Sequence, residues 1–536
     1  MFSKSLILSL SLFFSTTLFS QYQNIKVSKS GKPEEVTISI NPTNLLNLAA
    51  GANIDYYYYS MDGGLTWTEG HLASTLGVYG DPCVIFDPDG NLCYSHLSIP
   101  SSESWLDRIV VQKSSDGGMT WNDGIGVGLN PPKQQDKEWL AADFTNSAYH
   151  NNLYIAWTEF DAYGSSDPND STRILFSRST DSGDSWSQPV RISDRGGDCL
   201  DGDSTVEGAV PAVGPNGEVY VSWAGPLGIM FDKSTDGGVT FGDDIFVTSQ
   251  PGGWDFDVSG ISRCNGLPVT ACDISNSAYR GNIYVLWSDQ RNGVTDTDVF
   301  LIKSTDGGQT WGNTVRVNDD TTSRHQFFTW IAIDQTTGFI YVVFYDRRNT
   351  TGDATDVYVA KSTDGGDSFT NFEVSESSFL PVDSVFFGDY INIAAMDSKI
   401  YPIWTRMDFS VMSVWIAIIN DSTTVNISEN EETASDFSLK QNYPNPFNPT
   451  TTIEFTLPYS GFVTLKIYNI LGEEVATLVS KKLSAGKYKY DWDASSVASG
   501  VYLYKLEAGN PSTSSPKKSG QAGQNFVQTK KMLLIR

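Results

Sequence analysis

The sequence repeats one stretch six times, and its clearest copy is Ser304-Thr305-Asp306-Gly307-Gly308-Gln309-Thr310-Trp311. Every copy keeps a serine, an aspartate, a glycine and an aromatic residue at the same offsets. The aspartates of the six copies are Asp62, Asp116, Asp181, Asp236, Asp306 and Asp364, and consecutive ones lie 54 to 70 residues apart. A period of this order indicates a repeat architecture, in which each repeat supplies one structural unit.

The residue types of this octet predict a tight turn. An aspartate carboxylate accepts hydrogen bonds from backbone N–H groups a few residues ahead. Glycine adopts positive φ without the steric cost that a Cβ imposes. The terminal tryptophan or phenylalanine is an apolar anchor that folds back under the turn. We therefore interpret the octets as structural and do not place catalysis there.

Each octet follows a predicted strand, and two further strands precede that one. In the repeat around Asp306 these strands are Val269–Asp273, Asn282–Asp289 and Asp298–Lys303. With a fourth strand after the turn, each unit is an antiparallel meander of four short strands. Such sheets repeated around an axis form a β-propeller.

The octet resembles the Asp-box, or BNR, repeat of the sialidase-like propellers. The resemblance covers about residues 22–420 and implies an all-β fold. Counting the strand units predicts seven blades, with the six blades of true sialidases as the alternative. The last unit has no octet and lacks a fourth strand, and we expect Asn24–Ser28 to supply that strand and close the ring.

The two ends of the sequence read differently from residues 21–420. Lys4 and the apolar run Leu6–Phe19 predict a secretory signal peptide over residues 1–20. Residues 421–436 are polar and acidic, which is typical of a linker.

Residues 437–536 contain the run Asn442-Tyr443-Pro444-Asn445-Pro446-Phe447-Asn448-Pro449. This region resembles the type IX secretion C-terminal sorting domain of the Bacteroidetes group, an immunoglobulin-like β-sandwich. The resemblance implies contact with the outer-membrane secretion machinery and delivery to the medium or the outer cell surface.

Composition narrows the partners. Aspartate and glutamate number 63 against 36 lysines and arginines, which gives a net charge of −27. This charge argues against nucleic acid as a partner. We expect a monomer that binds a glycan or an extracellular protein.

Export permits disulfides, and Cys83–Cys93 and Cys264–Cys272 are plausible pairs that leave Cys199 alone.

Propellers usually bind ligands where the innermost strands begin and the second strands end. In this sequence those positions include Glu138 and the candidate residues below. The sialidase resemblance implies a tyrosine nucleophile paired with a glutamate, an acid/base aspartate and three arginines that hold the substrate carboxylate. It assigns catalysis to Tyr390, Glu207 and Asp389. The ligand-binding residues that it suggests are Arg291, Arg347, Arg348, Arg406, His325 and Asp346. No arginine precedes Ser60, where the family has its first, so the arginine set is incomplete.

Two function classes remain open. The first is a surface propeller that binds glycan or protein at its central funnel without catalysis. The alternative is an exo-sialidase-type glycoside hydrolase acting on a carboxylated sugar. We expect no cofactor, although short carboxylate spacings suit calcium. The carboxylates concerned are Asp198, Asp201 and Asp203, and Asp296 and Asp298. We interpret the repeated Trp157, Trp223, Trp287 and Trp404 as core packing.

Overall fold

The computed structural model describes residues 22–99, 105–421, 437–457, 461–483, 486–495, 497–509 and 526–535. All regular secondary structure within these residues is β, so the predicted all-β class is confirmed there. The same ranges contain no helix of the length and apolarity needed to span a bilayer. The chain divides into two compact units between Asp421 and Ser422. The predicted signal peptide, the predicted linker after Asp421 and the Ser/Gly/Lys-rich stretch 510–525 lie outside the described residues.

The first unit contains seven four-stranded antiparallel sheets and one short hairpin. Strand β1 (Gln23–Lys26) comes first in the chain. Sheet 1 contains β2 (Thr37–Ile40), β3 (Leu48–Ala52), β4 (Tyr56–Ser60) and β5 (Thr68–His71). Sheet 2 contains β6 (Cys83–Phe86), β7 (Leu92–Leu97), β8 (Ile109–Ser114) and β9 (Ile125–Val127). Sheet 3 contains β10 (Gln134–Ala142), β11 (Leu153–Phe160), β12 (Thr172–Ser179) and β13 (Val190–Arg191). Sheet 4 contains β14 (Glu207–Val213), β15 (Val219–Ala224), β16 (Ile229–Ser234) and β17 (Ile245–Thr248).

The remaining strands of this unit follow the same order. The hairpin contains β18 (Asp255–Phe256) and β19 (Cys264–Asn265). Sheet 5 contains β20 (Val269–Cys272), β21 (Ile283–Asp289), β22 (Asp298–Ser304) and β23 (Val315–Arg316). Sheet 6 contains β24 (Gln326–Asp334), β25 (Phe339–Asp346), β26 (Asp356–Ser362) and β27 (Thr370–Glu373). Sheet 7 contains β28 (Asn392–Met396), β29 (Lys399–Asp408), β30 (Val411–Asn420) and, as its fourth strand, β1.

The first strands of the seven sheets contact one another in a closed cycle. Strand β2 contacts β6, β6 contacts β10, and the series continues through β14, β20, β24 and β28 back to β2. These inner strands are mostly buried, and β14 is buried throughout. Four-stranded antiparallel sheets arranged around a common centre are the architecture of a β-propeller.

The six octets form the same turn, as predicted. In the copy at Asp116, Ser114 Oγ donates to Asp116 Oδ1 over 2.8 Å. Thr120 donates twice to the same carboxylate, from its N–H over 2.9 Å and from its hydroxyl over 2.6 Å. Gly117 and Gly118 have φ of 77° and 98°, in the region that favours glycine. The serine-to-aspartate and hydroxyl-to-aspartate bonds recur at Asp62, Asp181, Asp236, Asp306 and Asp364.

The octets also join neighbouring sheets. Basic side chains of one sheet donate to glycine carbonyls in the octet of the next sheet. These pairs are Arg178 with Gly237 (3.2 Å), Lys233 with Gly307 (2.6 Å) and Lys303 with Gly365 (2.9 Å). Octet aromatics pack on rings of the preceding sheet. These pairs are Trp121 with Tyr57, Phe241 with Phe176 and Trp311 with Phe231, with centroids 5.6, 4.8 and 5.2 Å apart. One motif thus closes a turn and fixes the neighbouring sheet.

The N-terminal strand completes sheet 7. Strand β1 pairs antiparallel with β30, and Gln23 lies opposite Ile418. The backbone N–H of Val414 donates to Ser28 Oγ over 2.9 Å just beyond this pairing. Sheet 7 has no octet. The basic residue of sheet 6 at the corresponding contact, Lys361, forms an ion pair with Asp421 instead. The prediction that the N-terminal segment supplies the missing strand is therefore confirmed.

The five cysteines correct the predicted pairing. All five are buried and free. In the hairpin of β6 and β7, Cys83 lies opposite Ser95, and Cys93 lies opposite Ile85. Cys264 and Cys272 belong to β19 and β20, which lie in different sheets. Neither pair is in register to face its partner, as a disulfide requires.

The second unit packs two sheets around one apolar core. Its strands are β31 (Ser438–Leu439), β32 (Thr450–Leu457), β33 (Gly461–Tyr468), β34 (Glu474–Leu483), β35 (Gly486–Asp493), β36 (Gly500–Gly509) and β37 (Phe526–Leu534). One sheet has the order β31-β32-β35 and the other β34-β33-β36-β37. The proline-rich run is tied into this core, because Asn442 Nδ2 donates to Pro444 O (3.1 Å) and Thr451 Oγ1 (2.9 Å). Phe447 of the same run is 2% exposed.

Candidate functional site

A small cavity lies where the inner strands of the first unit begin. Its volume is about 50 Å³. Its walls come from β10, from β14, from the segment before β20, from β24 and from the segments before β6 and β28. The side chains used below are Asp81, Lys137, Glu138, Trp139, Phe328, Trp330, Asp389 and Tyr390. The cavity is therefore built by most of the ring and not by one sheet.

Backbone irregularities point side chains into this cavity. The pairing of β10, β14 and β24 with their neighbours shifts register at Asp136/Trp139, Glu207/Val210 and Phe327/Trp330. Within each of these bulges one residue has positive φ: Lys137 at 52°, Gly208 at 76° and Phe328 at 46°. Lysine and phenylalanine adopt this region only at an energetic cost, and such strain concentrates at functional sites. Bulges likewise re-aim side chains next to binding sites.

An ion-pair network forms one side of the cavity. Lys137 Nζ contacts Asp389 Oδ2 over 2.5 Å and Asp81 Oδ2 over 3.4 Å. Arg263 Nε donates to Asp389 Oδ1 over 3.0 Å, and its Nη1 contacts Asp201 Oδ2, also over 3.0 Å. Burial alone would raise the pKa of Asp389, but Lys137 and Arg263 lower it to about 2. Asp389 is therefore an anion whose charge both cations already neutralise.

Two glutamates beside this network are buried without a partner. Neither carboxyl oxygen of Glu138 or of Glu207 has a hydrogen bond of good geometry among the described residues, and the two side chains are 1% and 0% exposed. The buried hydroxyl of Ser95 lies beside Glu138 and is the nearby side chain that lowers the pKa of this glutamate. Burial, reinforced by the charge of Asp81, raises the pKa of Glu138 well above its ordinary value. Burial, reinforced by Asp201 and Asp136, does the same to Glu207. Of the two, Glu138 lines the cavity.

Aromatic rings form the opposite side of the cavity. The ring centroids of Trp139 and Trp330 are 4.2 Å apart, and Tyr390 lies edge-on to Trp139 at 5.4 Å. Phe328 also lines the cavity. By contrast, the repeated Trp157, Trp223, Trp287 and Trp404 of the second strands are at most 1% exposed, which confirms their interpretation as core.

The three predicted catalytic residues lie in different places. Tyr390 and Asp389 line the cavity, whereas Glu207 does not. Tyr390 OH donates to the carbonyl of Pro82 over 3.3 Å. Burial, followed by the charges of Asp81 and Glu35, raises the pKa of Tyr390, so the hydroxyl is not activated as a nucleophile. The carboxyl groups that share the cavity with this tyrosine are those of Asp81, Glu138 and Asp389, whereas Glu207 lies near Asp201 and Asp136.

The four predicted arginines do not line the cavity. Arg291 pairs with Asp289 (2.6 Å), and Arg348 pairs with Asp346 (2.7 Å). Arg406 pairs with Asp408 (2.6 Å). Arg347 is 1% exposed and donates to the carbonyl of Ser259 (2.8 Å). Each of the four guanidinium groups is bound by protein groups outside the cavity, so within the described residues these arginines form no cluster there.

His325 and most of the predicted calcium ligands are likewise engaged by protein groups, whereas Asp296 Oδ1 is buried with no hydrogen-bond partner among the described residues. His325 Nδ1 bonds with Thr297 Oγ1 at 2.9 Å, and burial lowers its pKa to about 4. Asp198 accepts from Thr205 (2.9 Å), Asp201 from Tyr163 (2.6 Å) and Asp203 from the N–H of Asp255 (2.8 Å). Asp296 packs near Asp298, whose carboxylate accepts from Asn318 (2.5 Å). Within the described ranges, no three His, Cys, Asp or Glu side chains are arranged to hold a metal ion.

The comparison with protein families concerns the second unit. Residues 441–518 match the model of the secretion system C-terminal sorting domain. The chain is exported by type IX secretion to the cell surface or the extracellular space. No curated protein shows significant similarity to this secreted chain.

The secreted chain is also similar to solved structures, at low identity. A Dyadobacter fermentans DSM 18053 protein of unknown function is 11% identical, covers 75% of this chain and 98% of its own, and has a TM-score of 0.43. The Hadza microbial sialidase Hz136 is 15% identical, with coverages of 71% and 75% and a TM-score of 0.41. An ulvan lyase of family PL25, bound to -[GlcA(1-4)Rha3S]-, is 11% identical, with coverages of 74% and 96% and a TM-score of 0.46. Similarity at this level does not assign a function, so the function has to be inferred from the residues of this chain.

Sequence reasoning missed six residues of the site: Asp81, Lys137, Trp139, Arg263, Phe328 and Trp330. One signal was available, because Trp139 and Trp330 stand at matching positions of two inner strands, each just before an apolar residue. Nothing in the sequence marked Arg263, which reaches Asp389 from the hairpin of β18 and β19 across 126 residues.

Proposed function

We propose that the first unit is a seven-bladed β-propeller that binds a glycan in its central cavity after secretion. The seven sheets described above are its blades, and the protein acts as a monomer. In the same proposal, residues 1–20 are a signal peptide, residues 421–436 are a linker, and the second unit is an immunoglobulin-like sandwich. The observation that carries the glycan proposal is the pairing of stacked aromatics with polar groups in one cavity.

This pairing suits sugar binding for a physical reason. Aromatic faces pack against the C–H surface of a sugar, and ligand sites are mostly apolar with a few placed polar groups. Here Trp139, Trp330 and Tyr390 supply the aromatic surface. Glu138 supplies unused hydrogen-bonding capacity. A hydroxyl or amine on the ligand would satisfy that group.

A glycan array probed with the purified secreted chain tests the proposal. We expect a defined set of glycans to bind, and Trp330→Ala to weaken that binding by about tenfold, since an aromatic contact contributes about 0.5–1.5 kcal/mol beyond burial. Phe409→Ala is the matched control, because Phe409 is a 99% exposed aromatic outside the cavity. Equal losses in both variants, or no glycan bound at all, would contradict the proposal.

A second candidate is a glycoside hydrolase. The observation that favours it is that two cavity carboxyls have pKa values displaced in opposite directions, upward for Glu138 and down to about 2 for Asp389. A protonated acid beside an ionised carboxylate is the pairing that glycosidases use. In this version Glu138 is the acid, Asp389 the carboxylate and Tyr390 a binding residue. The sialidase version, with Tyr390, Glu207 and the four arginines, lacks a carboxylate clamp at the cavity.

Fluorogenic glycosides distinguish the two candidates. If the protein is a hydrolase, it turns over a glycoside whose sugar it binds, and Glu138→Gln abolishes that turnover. If it is a binder, the unaltered protein turns over none of the glycosides whose sugars it binds.

A further inference from the structure

The cavity is small and aromatic on one side. Its volume of about 50 Å³ is far below the roughly 300 Å³ of the smaller ligand pockets. It therefore encloses one functional group of a bound sugar, and the rest of the glycan extends out of this space. Trp139, Trp330, Tyr390 and Phe328 surround that space. Enclosure of a small group by several aromatic rings is how proteins recognise ammonium groups, through the negative faces of the rings.

The charges around the cavity favour a cation. Its two positive side chains are already neutralised, Lys137 by Asp389 and Asp81, and Arg263 by Asp389 and Asp201. Three carboxylates thus face two cations in this network. Glu138 adds a buried carboxyl group to the wall, and neither of its oxygens has a partner within the described part of the chain. A ligand carboxylate would find no free cation and would meet these acidic groups.

We infer that the cavity receives the ammonium group of a de-N-acetylated amino sugar and rejects carboxylated sugars. This inference rests on the proposed glycan binding and names the chemistry that the site selects. On binding, the carboxyl group of Glu138 releases its proton to solvent and accepts hydrogen bonds from the ammonium as a carboxylate, and the side chains of Trp139 and Trp330 shield that pair from water. An N-acetyl group in the same place is uncharged and too bulky for the cavity.

Calorimetric titration of the secreted chain at physiological salt tests the inference. The probes are the β-1,4 disaccharide of glucosamine, the disaccharide of N-acetylglucosamine and a disaccharide of glucuronic acid. We expect the glucosamine disaccharide to bind at least tenfold more tightly than the other two. Glu138→Gln should weaken this binding at least tenfold, and Trp330→Ala should also weaken it.

A control is needed because a protein of net charge −27 attracts any cation. Glu376→Gln removes one exposed carboxylate outside the cavity. We expect it to leave binding unchanged, while thermal unfolding shows that Glu138→Gln remains folded. Equal effects of the two variants would overturn the inference, since binding would then be diffuse.

The remaining outcomes separate the inference from the proposal beneath it. Equal or tighter binding of the N-acetylated or the carboxylated disaccharide would overturn the ammonium inference and leave glycan binding standing. If no disaccharide binds and the glycan array is also negative, the proposed function itself fails.

Discussion

The octet turns and the central cavity use the same chemical group in opposite ways. At the turns, the carboxylate of Asp116 accepts from Ser114, Met119 and Thr120. Although burial alone would raise its pKa, these hydrogen bonds lower it. Glu138 in the cavity wall and Glu207 outside it are buried with no partner among the described residues, and their pKa values are raised. Satisfied carboxylates hold the fold together, whereas an unsatisfied carboxyl group in a cavity wall, such as that of Glu138, keeps hydrogen-bonding capacity in reserve.

The two regions also differ in whether their residues recur from sheet to sheet. The octets repeat because each sheet needs the same turn and the same contact with its neighbour. The cavity residues do not repeat, because each inner strand contributes a different side chain to one shared space. A feature written six times therefore indicates architecture, and a feature written once is the better indicator of function.

The largest effect should come from breaking the ion-pair network. Asp389→Ala leaves Lys137 and Arg263 without the carboxylate that they share, and removing one partner of a buried pair costs about 3 kcal/mol of unfolding free energy. Denaturant unfolding measures this cost. Asp389→Asn keeps the shape of the side chain and loses its charge, so its unfolding free energy should lie between those of Asp389→Ala and the unaltered protein. A cost no larger than that of an octet aspartate would contradict the contrast drawn above.

Breaking one octet should cost less. Asp116→Ala removes the acceptor of four hydrogen bonds in a partly exposed turn, and we expect a loss of about 1 kcal/mol in unfolding free energy. Ser115→Ala is the control, since this neighbouring residue of the same turn is exposed. If the two variants unfold at the same denaturant concentration, the octet aspartate is not a structural clamp.

The third prediction tests the comparison by the sign of a pH dependence, and the expected effect vanishes near pH 4. Because the folded state raises the pKa of Glu207, it retains a proton that the unfolded chain loses above about pH 4.3, so stability falls as pH rises. Glu207→Gln removes this dependence. We expect the variant to match the unaltered protein near pH 4 and to be more stable at pH 8, by about 1.4 kcal/mol per unit of pKa shift. A stability difference that is the same at both pH values, or one that favours glutamate at pH 8, would show that Glu207 is ionised in the fold.

The sequence predicts the repeated part of this molecule well and the unrepeated part poorly. The turn at Asp306 and the closing role of the N-terminal segment follow from local chemistry and strand counting. The cavity does not, because Lys137, Arg263 and Asp389 meet only after the ring has closed. The arginine assignments rested on a family resemblance, yet residues such as Arg291 and Asp289 satisfy each other two positions apart. Local pairing of this kind is invisible in a pattern of residue types.

Because β1 pairs with β30, the ring can close only after residues near the end of the first unit have been synthesised, and the sorting sequence follows those residues. The ring stays open, with a bare strand edge, until residues 411–420 have been made. The sorting sequence at 441–518 comes later still. Any chain that carries the sorting sequence therefore already carries β30, the strand with which β1 closes the ring, and a chain that ends before residue 411 lacks both.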